Sequence, residues 1–600
     1  MSIYTPITHS HDVLVLGAGG AGLRAAIAAS EGIKGRELSV ACLSKVPPTR
    51  SHTVAAQGGI NAALGNRAAD DWRWHMYDTV RGSDWLGDQD AIALMCERAP
   101  EAIVELEHMG MPFTRDANGL IYQRAYGGQK ADFGQGPPAY RACAVADRTG
   151  HSLLHTLYAQ AVRQNVEFFV EYMALDLLFD DEQHCCGVLA WQLSTGQLHA
   201  FRAHTVILAT GGFGQAYAST TSSTICTGDG NAMCLRAGLP LQDMEFVQFH
   251  PTGLYGSGVL ITEGARGEGA YLRNGLGERF MERYSPSSME LASRDVISRA
   301  MAREIIEGRG CGPNKDHLHL CLEHLGEEII STKLPSIRDI AKTFARIDIT
   351  RAPIPVLPTV HYTMGGIPCN AQSQALTVDA QGNEHIVPGL LAVGETSCTS
   401  VHGANRLGCN GLLELVVFGK LAGEQAALHA ASSGSYKPLP ASTIDQALAR
   451  FDRLRNSRGG TRPNTIRKAM QNTMQQYAAI FRTQALLEQG RAELQTLWQT
   501  LTTDLRIADS SLLWNNDLLE ALELDNLLHQ SIASMASAHA RTESRGAHFR
   551  DDFPERNDAS WLKHSLAFMD DSAKPRIASR AVRLEAGMEA PSFAPEARHG

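Results

Sequence analysis

The sequence predicts an α/β Rossmann-like domain on a parallel sheet, interrupted by an inserted α+β capping domain and followed by a helical domain and a small C-terminal domain. Three observations carry this expectation. The chain opens on an apolar run, a glycine turn and an alanine-rich segment, which is a βαβ start. Two later apolar runs end in glycine turns that suit the same sheet. Beyond a Ser/Gly/Pro-rich stretch, apolar residues recur every three or four positions, as on a helix. At 600 residues the chain exceeds what one core holds, since cores stop growing near ~250–300 residues.

Taken in order, Val13-Leu14-Val15-Leu16 is the first strand, residues 21–30 the helix after it, and residues 38–43 the second strand. Residues 205–208 form a later strand ending in Ala209-Thr210-Gly211-Gly212, and 390–393 another ending in Gly394-Glu395. The first domain therefore takes residues 1–243 and 359–430, and residues 244–358 are the insertion. Ser432 to Pro440 reads as a linker. Ile466, Met470, Met474, Tyr477 and Phe481 give the apolar stripe of a helix in a domain spanning 441–548. Residues 549–600 are charged and proline-punctuated, and their pattern assigns them no function.

Composition excludes several function classes. The formal charge is -10, so phosphate backbones are repelled and no nucleic-acid partner is expected. No apolar run approaches the ~20 residues that span a bilayer. Residues 1–12 show neither a secretory nor a transit pattern, so a cytosolic protein is expected, with any membrane role supplied by partner subunits. The 12 cysteines include no C-x-x-C pair, which argues against iron–sulfur or zinc sites and for reduced thiols. His151-x-x-x-His155 has zinc-ligand spacing, but Leu153, Leu154 and Leu157 around it favour a structural helix face.

Gly17-x-Gly19-x-x-Gly22, with Ala18, Gly20 and Ala21 between, follows a strand and opens a helix. Its glycines permit a tight turn and a close backbone approach to pyrophosphate, which faces the helix N-terminus. The acidic residue expected about 20 positions on is absent. Ser44 and Lys45 stand there, which disfavours NAD and offers Lys45 to a phosphate. Glu395, at the end of a late strand, suits the ribityl hydroxyls of FAD, and the two signals together favour a flavin.

The segment Arg50-Ser51-His52-Thr53 leads to Gln57-Gly58-Gly59, where a glycine pair suits packing on a flat ring. A lone histidine such as His52 is more often a satisfied loop or core residue than a functional one. The insertion carries Phe249-His250-Pro251-Thr252-Gly253, Thr262-Glu263-Gly264-Ala265-Arg266 and Ser293-Arg294-Asp295. Beyond it come His361-Tyr362-Thr363-Met364 and His402-Gly403-Ala404-Asn405-Arg406. As a set, histidines and arginines beside glycines suit a small dianion, because arginine grips a carboxylate with two parallel bonds.

These segments, with Gln248 before the first and Arg541-Thr542-Glu543-Ser544-Arg545 near the end, resemble the succinate dehydrogenase and fumarate reductase flavoproteins over most of the chain. The resemblance implies FAD bound covalently through the 8α-methyl to His52. It implies FAD contacts at Gly17 to Gly22, Ser44, Lys45, Ser51, Thr53, Gln57, Gly58, Gly59, Asp229, Glu395, Gly411 and Leu412. It places His250, Thr262, His361 and Arg406 on the substrate carboxylates, Arg294 as the proton-transfer residue, and Glu263 and Arg266 as its relay. The implied partners are an iron–sulfur subunit, membrane anchor subunits and a flavinylation assembly factor. The implied location is the cytoplasmic side of a bacterial inner membrane, with electrons passing to quinone.

Three positions depart from the family pattern: Tyr126 where Phe is common, Gly411 where Ser is usual, and Thr363 where Asn or Met is common. The phenol of Tyr126 must find a partner. Gln57 favours succinate oxidation over fumarate reduction, since reductases tend to carry Glu there. L-aspartate oxidase and a non-catalytic FAD-binding scaffold are the remaining alternatives. The dehydrogenase-like C-terminal segment disfavours the first, and the intact His250, Arg294, His361 and Arg406 set disfavours the second.

Overall fold

A computed structural model describes residues 4–35, 38–587 and 590–596. The first strand, Ile7–Leu16, pairs in parallel with Val40–Ser44 on one side and with Leu198–Leu208 on the other. Leu198–Leu208 in turn pairs in parallel with Glu384–Ala392. All the sequence-predicted strands thus share one sheet, eight strands in all, with an antiparallel extension through Cys185–Gln192 and Tyr172–Phe179. Its central segments read as unbroken apolar runs because helices cover both faces.

Two helices pack on one face by close backbone approach. Gly20–Gly32 carries Ala25, Ala28 and Ala29 toward Asn410–Ser432. A Cβ at Gly423 would come 2.2 Å from Ala25 O, so only glycine allows this separation. Both helices start at the glycine-turn edge of the sheet, and so aim their N-termini at one place.

The insertion has its own core, including Leu254, Leu272, Ile297, Leu320 and Val356. Its antiparallel sheet runs Val247–Leu254, Ile354–Thr363, Leu318–Cys321, Tyr271–Arg273. The strand Ile354–Thr363 passes straight through the expected boundary at 358. The two long strands Val247–Leu254 and Ile354–Thr363 form a ribbon that enters and leaves the cap, so the boundary falls inside paired strands.

Four helices, Ala441–Arg455, Pro463–Tyr477, Gln484–Thr503 and Asn516–Ala540, form the helical part. Ile466, Met470, Met474 and Tyr477 are buried as expected. Phe481 leaves the helix and joins a short strand paired with Phe549–Arg550. The cause is Arg482, whose buried guanidinium donates to Ala479 O, Glu245 O and His548 Nδ1. Neither this part nor the C-terminal part owns a separate core. Met470, Leu487, Leu528 and Ala567 belong to one apolar cluster with Val206 of the sheet.

The hairpin Lys563–Met569/Pro575–Ala581 adds Leu241–Gln242 as a third strand. Fully buried His564 lies between Asp243 (2.6 Å) and Asp88 (3.1 Å), and Arg580 reaches Asp88 at 2.7 Å. The last segment is thus laced into the first domain by buried ion pairs. Among the described residues no helix is long and apolar enough to cross a membrane. All 12 cysteines are free and buried.

Candidate active site

A cavity of about 750 Å³ opens along the sheet edge where the strand ends deliver their turns. Gly17, Ala18, Gly19, Gly20 and Ala21 form one wall. Gly17 has φ +108°, and a Cβ there would sit 2.2 Å from Ala209 O; one at Gly22 would sit 1.8 Å from Gly17 O. The first and third glycines of the motif therefore shape the turn, and Gly22 itself lies behind the wall. Gly20 N donates to Thr53 Oγ1 at 3.0 Å, which joins the turn to the His52 segment. A bare backbone, a helix N-terminus and an elongated void fit the pyrophosphate of a dinucleotide.

Ser44, Lys45, Ser51, His52, Thr53, Gln57, Asp229, Glu395, Gly411 and Leu412 also line the cavity. Gly58 and Gly59 lie one layer back, where a Cβ at Gly59 would meet Cys143 O at 2.9 Å. Lys45 lines the cavity with its charge already paired. Its ammonium is held by Glu523 (2.7 Å) and Asp229 (2.9 Å), both largely buried, so its charge ties the cavity to the helical part instead of standing free for a phosphate. Burial alone would lower Lys45, but the two carboxylates reverse that and raise it. Glu395 accepts from Thr363 N at 3.0 Å, and burial pushes its carboxyl up to about 7.

At the other end of the cavity stand His361 and Arg406. His250 and His361 come from the two ribbon strands, with ring centroids 4.9 Å apart. Thr221 fixes His361 through Nδ1 at 2.8 Å, and Thr252 N donates to His250 Nδ1 at 3.2 Å. Burial first, and then the Arg294 charge, holds both imidazoles well below the usual histidine range, so both are neutral. Burial, with Arg294 next, brings Arg406 down to about 10, so it remains a cation. Its guanidinium lies 4.0 Å over the Tyr362 ring.

Arg294 and Arg266 lie behind this end, each against Glu263. Arg294 Nε donates to Glu263 Oε2 at 2.8 Å, and Arg266 Nη2 is 3.7 Å from the same oxygen. Burial raises Glu263, but Arg294 and Arg266 more than cancel that and keep it ionised. Thr262 N donates to Gln57 Oε1 at 3.1 Å, so Thr262 is attached to the cofactor wall.

Gln248 belongs to none of the predicted binding or catalytic sets. It is fully buried, and its Oε1 accepts from Arg294 Nη1 (3.0 Å) and from Arg406 Nη2 (3.3 Å). Its Nε2 donates to Asn405 Oδ1 and to Arg406 O. One neutral amide thus holds two like-charged guanidiniums in register. Its place two residues before His250 on the same strand, hence on the same face, was the available signal. His151 and His155 sit on the solvent side of their helix with rings 4.4 Å apart, and His151 reaches the cavity mouth. Leu153, Leu154 and Leu157 take the buried side instead. Among the described residues no group of three metal-ligating side chains exists.

Comparison with known proteins agrees with this geometry. A family described as FAD binding domain matches residues 12–412, and one described as fumarate reductase flavoprotein C-term matches residues 467–599. The chain is 56% identical, over 598 residues, to the mitochondrial succinate dehydrogenase [ubiquinone] flavoprotein subunit of Oryza sativa subsp. japonica, covering 100% of this chain and 94% of that one. It is 56% identical to the succinate dehydrogenase flavoprotein subunit of Rickettsia bellii, covering 97% and 96%. Among solved structures, a chain of E. coli quinol fumarate reductase superposes with TM-score 0.91 at 39% identity, covering 98% of this chain and 99% of that one.

Proposed function

Because the chain belongs to the succinate dehydrogenase and fumarate reductase flavoprotein family, we propose that it is a flavoprotein subunit that oxidises succinate to fumarate. The observation that carries this reading is the convergence of Arg294 and Arg406 on Gln248 Oε1 at the end of a dinucleotide-shaped cavity. Two buried guanidiniums beside two neutral imidazoles make a site for a small dianion.

FAD, when bound, supplies the hydride acceptor. Arg406, His361, His250 and Thr262 hold the two carboxylates and fix the central C–C bond. Arg294 takes the proton from the second carbon after passing its own to Glu263 Oε2. Arg266, with Nη2 3.7 Å from the same oxygen, gives its own proton onward and is then reprotonated from Glu263. Glu263 is ionised at rest between the two arginines, so its oxygen is open to the proton it receives and passes on.

His52 is the covalent anchor in this proposal. Its Nδ1 accepts from Ser223 N at 3.2 Å, which leaves Nε2 for the flavin. Burial brings the ring down to about 4, so the imidazole is neutral and nucleophilic. Flavin that stays with the polypeptide after acid denaturation, and is lost in His52→Ser, supports this bond; release from the native chain contradicts it.

Gln57 favours oxidation over fumarate reduction. Its Nε2 donates to Leu260 O at 2.9 Å while Oε1 accepts from Thr262 N, and an ionised glutamate cannot make the first bond. The partners in this proposal are an iron–sulfur subunit and membrane anchor subunits, with a flavinylation factor for His52. The location is peripheral, on the cytoplasmic side of a bacterial inner membrane. The test is anaerobic addition of succinate to the flavin-loaded chain. Bleaching of the oxidised flavin band that malonate blocks is expected; no bleaching overturns the reading.

A further inference from the structure

The residue that departs from the family pattern at 126 touches the substrate clamp. Tyr126 is 2% exposed, and its hydroxyl lies 3.3 Å from Thr262 Oγ1. Gly58 makes room for the phenol: a Cβ there would stand 2.5 Å from Tyr126 Oη and 3.3 Å from Cys409 Sγ. The Thr262 oxygen also accepts from Gly264 N at 3.2 Å.

A threonine hydroxyl has two lone pairs and one hydrogen. The phenol is the more acidic of the two hydroxyls and the better donor, and its own oxygen is the poorer acceptor. Burial holds the phenol well above its ordinary range, so its proton stays in place. The phenol's other partner, Cys409, offers only a weak sulfur acceptor, so Tyr126 O–H and Gly264 N–H occupy both lone pairs of Thr262, and only its hydrogen remains for a ligand. The 3.3 Å separation is long for two hydroxyls, which leaves room for a bound ligand to draw the pair together.

We propose that Tyr126 is a specificity-determining positioning residue that makes Thr262 an obligate hydrogen-bond donor, selecting ligands with a carboxylate at that end over those with a carboxamide. A carboxylate only accepts, whereas a carboxamide NH₂ needs an acceptor that Thr262 no longer offers. With phenylalanine at 126 the threonine hydroxyl regains a free lone pair and turns to suit either group.

This inference rests on the succinate reading, and the experiment separates the two. Malonate and malonamate are titrated into the flavin-loaded chain and followed by perturbation of the flavin spectrum, in wild type, Tyr126→Phe, Thr262→Ala and the double variant. In Tyr126→Phe the malonate Kd should rise about three- to tenfold, the loss of one ordering hydrogen bond. Preference for malonate over malonamate should narrow by a similar factor. For succinate the change should fall more on KM than on kcat. In the Thr262→Ala background the same substitution should change nothing further. An unchanged malonate Kd and preference in Tyr126→Phe, or the same loss in both backgrounds, overturns the assignment. Wild type that neither binds malonate nor is reduced by succinate removes the functional reading and this inference with it.

Discussion

Gln248→Leu is the most informative single change outside the proposed catalytic groups. The side chain is fully buried and leucine has a similar volume without polar atoms, so the fold should persist. The substitution removes the one acceptor shared by Arg294 Nη1 and Arg406 Nη2. It also removes the donor that fixes Arg406 O and Asn405. Hydrogen bonds to charged groups contribute about 1.5–3 kcal/mol each, and since one of these two is long, a total of about 2–4 kcal/mol is reasonable. At about 1.4 kcal/mol per decade, kcat/KM for succinate should fall roughly 30- to 1,000-fold. The assay is stopped-flow reduction of bound flavin by succinate, with flavin content and Tm as controls. Gln248→Glu restores an acceptor but places a carboxylate between the arginines, so it should recover turnover less than it weakens malonate binding. A kcat/KM for Gln248→Leu within about threefold of wild type, at full flavin content, would refute the positioning role.

Two further predictions concern stability. Lys45→Met leaves Asp229 buried without its cation and leaves Glu523 only the longer pair to Arg467 (3.6 Å), at a cost of about 3–5 kcal/mol; denaturant titration should show the loss, and FAD should dissociate more readily. His564 is lowered by burial and by Arg580, but Asp243 and Asp88 outweigh both and raise it. Its stabilising contribution is therefore complete below its unfolded value near ~6.5 and is lost as pH rises through the folded value. Wild type should lose Tm over that alkaline interval more steeply than His564→Gln; parallel profiles would exclude His564 as the titrating group.

The strands were legible in the sequence because both faces of the sheet are covered, so residues 13–16, 206–208 and 390–393 carry no polar interruption. The glycine cradle was legible because Gly17 and Gly22 sit where no Cβ fits. The cap's exit was misplaced because Ile354–Thr363 is one strand serving two bodies, and nothing in its composition changes at 358. Phe481 has helical spacing, yet a buried arginine next to it decides its conformation. Lys45 was expected at a phosphate because position along the chain says nothing of Glu523, 478 residues away. Gln248 is marked only by its place two residues before His250, because an uncharged side chain shows no chemistry until its neighbours are known. The surroundings of Lys45, Phe481 and Gln248 share one feature: the deciding partner lies far along the chain or depends on tertiary packing.

The central claim is that Arg294 moves the proton while Arg406, His361, His250 and Thr262 hold the dianion. Its most direct test is anaerobic reduction of Arg294→Gln by succinate, measured beside its malonate Kd. The account predicts full flavin content, malonate binding within about tenfold of wild type, and no detectable flavin bleaching by succinate. Bleaching at a substantial fraction of the wild-type rate would contradict it and assign the proton to another group.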